Sequence, residues 1–142
     1  MPTQPSPTLP QILVSMQTLT VFGNCENFGK GDFFYDFRVD GILLAHLARP
    51  DAIPFKDGEA RPIEGSAVRV GSSTSRKSFE VSGSLVNREL SPRTDDVVGG
   101  SASMTHAVRS YGAPEIHTLR FYKDKFCRAD ATYLISIGTP AV

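Results

Sequence analysis

From Asp32 to Asp40 apolar and charged residues alternate, with Phe33, Tyr35, Phe37 and Val39 on one side and Asp32, Asp36, Arg38 and Asp40 on the other. Only Phe34 breaks the pattern. A period of two marks a strand with one face in a core and one in water. Asp40-Gly41 follows directly and Ile42, Leu43 and Leu44 resume the apolar run, which reads as a tight hairpin. Phe79, Val81, Gly83 and Leu85 alternate with Glu80, Ser82, Ser84 and Val86, and Ala131, Tyr133, Ile135 and Ile137 recur at every second position. Weaker strand segments at 17–22, 68–70, 101–109 and 116–122 bring the total to about eight, separated by Gly, Pro, Ser and Asp clusters. No stretch carries a convincing 3.6-residue apolar stripe. The expected fold is all-β: one antiparallel β-sandwich.

Pro2, Pro5, Pro7 and Pro10 remove donors and fix φ at the start of the chain, so residues 1–14 are expected to form an extended arm and 15–142 a single domain. At 142 residues, 40% of them hydrophobic, the chain suffices for one complete core. Such an arm is a candidate for lying across a neighbouring subunit. Fifteen basic residues balance fifteen acidic ones, leaving no long-range field to draw the chain to nucleic acid, and no nucleic-acid partner is expected. No apolar run reaches the roughly 18 residues of a membrane-spanning helix, and the short apolar stretch after Pro10 has no basic segment before it. A cytoplasmic protein is the expectation. Cys25 and Cys127 form no CxxC pair and read as reduced thiols.

If successive strands reverse direction, the connections at 24–31, 50–66, 87–100 and 123–130 gather at one pole. They are long and charged, whereas Asp40-Gly41, 71–77 and 110–115 at the other pole are shorter. Long loops on a rigid scaffold are where binding sits. The same parity brings Cys25 and Cys127 to one pole, where a disulfide needs Cα atoms about 5.5 Å apart, a distance that sequence does not supply. The richest loop is Leu85 to Gly99, whose Asn87, Glu89, Asp95 and Asp96 offer oxygen ligands to a hard cation between two apolar strand ends. Asp95 and Asp96 have a second reading as turn formers bonded to nearby backbone N–H groups. The loops also carry Lys30, Lys56, Arg61, Arg88, Arg93, Lys123, Lys125 and Arg128, so the pole is polyampholytic.

The stretch from Val86, VNRELSPRTDDVVG, resembles the third calcium loop of C2 domains, and GKGDFFYDFRV from Gly29 is similar to that family's first loop and strand. The resemblance implies a C2-like sandwich; a jelly roll and an immunoglobulin-like order are the other strand orders that the alternation allows. It places Asp32, Asn87, Glu89, Asp95 and Asp96 at calcium-ligand positions. Asn87 is neutral where the family has a carboxylate, and Glu89 is longer than Asp. Since calcium needs six to eight oxygens and affinity tracks carboxylate count, the resemblance implies the scaffold more than the ion.

Catalytic chemistry finds little footing. His46, His106 and His117 show no metal-ligand spacing, Ser82-Gly83-Ser84 is not a nucleophile elbow, and Gly29-Lys30-Gly31 lacks the rest of a phosphate loop. A protein without enzymatic activity or resident cofactor is expected, docking onto a protein partner, whether itself or a larger assembly. The alternative is a calcium-dependent domain binding a phospholipid membrane.

Overall fold

The computed structural model describes residues 11–26, 29–70, 77–90, 93–109 and 111–137. Among the described residues, ten strands form two antiparallel sheets. The strands are β1 (Ile12–Asn24), β2 (Gly31–Val39), β3 (Ile42–Leu47), β4 (Ile53–Phe55), β5 (Glu59–Pro62), β6 (Val68–Val70), β7 (Ser78–Arg88), β8 (Asp96–Ala107), β9 (Glu115–Asp124) and β10 (Cys127–Ile137). One sheet runs β5-β1-β10-β9 with β6 also on β1, and the other runs β3-β2-β7-β8 with β4 also on β2. The expected sandwich is therefore present.

The alternation explains the packing. Phe33, Phe37 and Val39 of β2, Val81 and Leu85 of β7, and Ala131, Tyr133 and Ile135 of β10 are all within 1% of full burial, facing one another across the sheets. Asp40 and Gly41 adopt φ of 48° and 81°, the pair of left-handed residues that a two-residue hairpin demands. Gly83 lies directly opposite Phe37, and a Cβ there would stand 2.4 Å from the Phe37 ring, so the missing side chain is what lets the ring lie across the strand.

Three departures from the pattern-based reading have physical causes. Residues 1–10 of the expected arm lie outside the described residues, but the first strand already begins at Ile12, within the span given to the arm. Ile12 and Val14 are fully buried and pair with both β10 and β6. The two strands inside 50–66 are short, and Pro54 and Pro62 disguise them; proline is tolerated there because both strands sit at sheet edges. Cys25 and Cys127 are not reduced thiols but form a disulfide. The pairing of β1 with β10 sets Asn24 opposite Cys127, which delivers Cys25 to its partner across 102 residues of chain.

Among the described residues no helix is long and apolar enough to cross a membrane.

Candidate functional site

The connections at 24–31, 87–100 and 123–130 and the first part of 50–66 share one pole, as the strand parity implies, whereas from Glu59 the chain runs back along the flank beside β1; residues 71–76 and 110 of the other pole lie outside the described residues. The end of β1, the start of β2, the turn at Arg49–Asp51, the β7–β8 connection and the β9–β10 hairpin meet at one pole, as their cross-contacts show. Asp57 Oδ1 accepts from the Asn24 amide at 2.9 Å, Arg49 reaches the β7–β8 loop, and Lys123 of β9 reaches Asp96 of β8.

The oxygen side chains picked out from the sequence are all here, and three of them already hold cations. Asp32 and Arg88 are cross-strand partners, with Nη2 to Oδ2 at 3.1 Å. Asp95 takes a two-pronged contact from Arg49, Nε to Oδ2 at 2.8 Å and Nη2 to Oδ1 at 3.1 Å, while its Oδ1 also accepts the Glu89 amide at 2.9 Å. Arg49 in turn holds the carboxyl of Asp95 below its ordinary range. Asp96 receives Lys123 Nζ at 2.7 Å. The two readings of Asp95 merge: it caps its own loop and it binds an ion, but the ion is a guanidinium of the same chain.

Asn87 and Glu89 continue the inward register of Leu85 and so point between the sheets. Asn87 is fully buried; its amide donates weakly to the Asp32 carbonyl at 3.3 Å and its Oδ1 has no partner. Glu89 is 9% exposed, and its carboxyl is pushed up to about 7 by burial first, then by Glu26 and Asp96 beside it. Asn24, at the same depth on β1, is satisfied by the Gly29 and Phe55 carbonyls and the Glu26 amide. Among the described residues no group of three or more His, Cys, Asp or Glu is arranged to hold a metal ion.

Around this core a cleft of about 410 Å³ is lined by Glu26, Lys30, Asp32, Arg88, Glu89, Leu90 and Arg93. The rim is apolar and cationic. Leu90 is 82% exposed and Phe126 68%, Lys125 lies 5.0 Å from the centre of the Phe126 ring, and Arg128 lies 5.2 Å from that of Phe22. The sequence reading singled out the oxygens but not the clamps, because Arg49 and Lys123 stand 46 and 27 positions from the carboxylates they hold. The signal was the mixture of charge signs in the loops.

No protein-family model matches the chain, and no curated protein matches it. Among solved structures it is similar to one described as the structure of a C2 domain, with 8% sequence identity, a TM-score of 0.51, and coverage of 92% of this chain and 99% of that one. At that identity the likeness speaks for the fold alone: the chain has a C2-like β-sandwich fold.

Proposed function

We propose, with the C2-like fold as premise, that the chain is a non-enzymatic docking module that binds a protein partner through its loop pole without calcium. One observation carries the reading. The carboxylates that stand where the resemblance puts calcium ligands are held by Arg88, Arg49 and Lys123, so an incoming ion would have to displace three tethered cations. A tethered cation has already given up its translational freedom, which a free ion loses on binding. Exposed Leu90 and Phe126 supply apolar anchors, and such patches on soluble proteins mark interaction surfaces.

The test is a pair of measurements on the full chain. Thermal melts in calcium and in chelator should coincide, since an ion that bound the native state would raise stability by about 2.7 kcal/mol at a hundredfold excess over its Kd. Sedimentation of the native particle should then show a mass above that of one chain, or a complex with its partner, that Leu90→Asp with Phe126→Asp disperses. A calcium-dependent rise in melting temperature would refute the ion-free reading.

A second reading, attachment to an anionic phospholipid surface, is favoured by the cations beside the exposed rings. Lys125 and Arg128 lie over Phe126 and Phe22. Vesicle co-sedimentation with and without calcium separates it from the first. As to compartment, a disulfide persists where conditions are oxidising, so the Cys25–Cys127 bond supports an extracytoplasmic setting over the cytoplasmic one expected at first.

A further inference from the structure

On one flank of the sandwich the edge strands of the two sheets part and leave a cleft of about 770 Å³ between β3–β4 and the chain running from β5 to Ser66. Its volume lies in the range of about 300–1,000 Å³ typical of small-molecule sites. Tyr35, Leu47, Ile53 and Pro62 line it with apolar surface. The body of Tyr35 is buried, while its hydroxyl, which no hydrogen bond reaches among the described residues, keeps some exposure in the cleft.

The charges at the rim are mostly spent. Arg61 holds Glu59 at 3.2 Å and lies over the Phe55 ring, while His46 is bonded to Asp36 at 2.9 Å. Glu64 is the one charged side chain of the lining without an ion pair among the described residues. Its negative charge is felt at Tyr35, whose phenol is pushed up by burial first and then by Glu64.

We propose that this cleft is a binding site for an organic cation on an apolar stem, whether a free alkylammonium or the side chain of a lysine. The ammonium sits between the Glu64 carboxylate and the Tyr35 hydroxyl, where a charge-assisted hydrogen bond to the carboxylate holds it. The stem lies on Leu47, Ile53 and Pro62. An anion would meet Glu64 with no uncommitted cation in the lining to receive it. The site lies apart from the loop pole and does not depend on the reading of that pole.

The experiment is a titration of the isotope-labelled full chain, followed by amide chemical shifts, with n-hexylammonium, n-hexanol, hexanoate and a short lysine peptide blocked at both ends. Hexylammonium should shift Leu47, Ile53 and Gly65, bind at least about tenfold more tightly than hexanol, and leave the pole unmoved, while hexanoate should not bind. Glu64→Gln, at an exposed position, should keep the melting temperature and weaken the amine about tenfold. A peptide that binds more tightly than the free amine makes the natural source a protein lysine, and the reverse makes it a free amine; both outcomes support the site. Equal binding of amine and alcohol, shifts confined to the pole, or a Glu64→Gln variant that binds like the native chain overturns it.

Discussion

Acidification is expected to withdraw one contribution to the stability of the sandwich, that of His106. It sits on β8 at 9% exposure, accepts or donates a hydrogen bond at 2.5 Å with the Tyr133 hydroxyl of the opposite sheet, and packs against His117 with ring centres 4.5 Å apart. Phe79 of β7 flanks it, and Glu115 and Arg109 complete its charged surroundings. Burial first, and His117 second, push its pKa down to about 4. An unfolded histidine takes its proton near the ordinary value of about 6.5. The sign follows: the unfolded chain binds the extra proton first, so the contribution is whole above about pH 6.5, drains away as pH falls toward 4, and is constant below that. A gap of about 2.5 units at 1.36 kcal/mol each is roughly 3 kcal/mol.

Glu89 works in the opposite direction over nearly the same window. Its raised pKa makes the folded chain take up a proton first, so stability grows as pH falls from about 7 toward the ordinary carboxyl value. The two slopes mask each other in the native chain. The assay is therefore a difference: urea midpoints of native chain and His106→Gln, at several pH values between about 7.5 and 4. The advantage of the native chain over the variant should shrink by roughly 3 kcal/mol across that range, about 1.5 M in midpoint for a slope of about 2 kcal/mol/M. A difference constant to within about 0.5 kcal/mol would refute the reasoning.

Three further outcomes are expected. Glu89→Gln should be more stable than the native chain above about pH 7 and lose that advantage on acidification, in the same denaturant assay. Replacing both cysteines by serine should cost about 4.7 kcal/mol on the loop-entropy model for a closure of this length, read as a fall in midpoint with the far-ultraviolet circular dichroism retained. Gly83→Ala should cost about 1–3 kcal/mol by driving a methyl group into the buried Phe37 ring, whereas Gly41→Ala, where nothing stands within 4 Å, should cost only the strain of its positive φ.

The legible part of the fold was the part with one wet face. β2, β7 and β10 each bury every second side chain, and their patterns could be read directly. Ile12 to Met16 was less legible because the prolines before it obscured the boundary. Ile53 to Phe55 was missed because three residues with a central proline carry no period at all. At the pole, the local order singled out Asn87 and Glu89 as a pair of oxygen side chains two positions apart, and the structure sets both on the buried side. It held no information about Arg49 or Lys123, since a salt bridge between distant segments is a property of topology and leaves no trace in local order. The disulfide is the same case: the loop parity brought the cysteines to one pole, and only the β1–β10 register brought them together.

That register has a practical side. Because Ile12 pairs with Ile137, the start of β1 and the end of β10 lie side by side, at the opposite end of that ladder from Asn24 and Cys127 and the hairpin that carries Phe126. A bead, chip or fluorescent carrier fixed at Gln11 or Ile137 would therefore grip the molecule from behind, leaving its contact-making front free to search for whatever it captures.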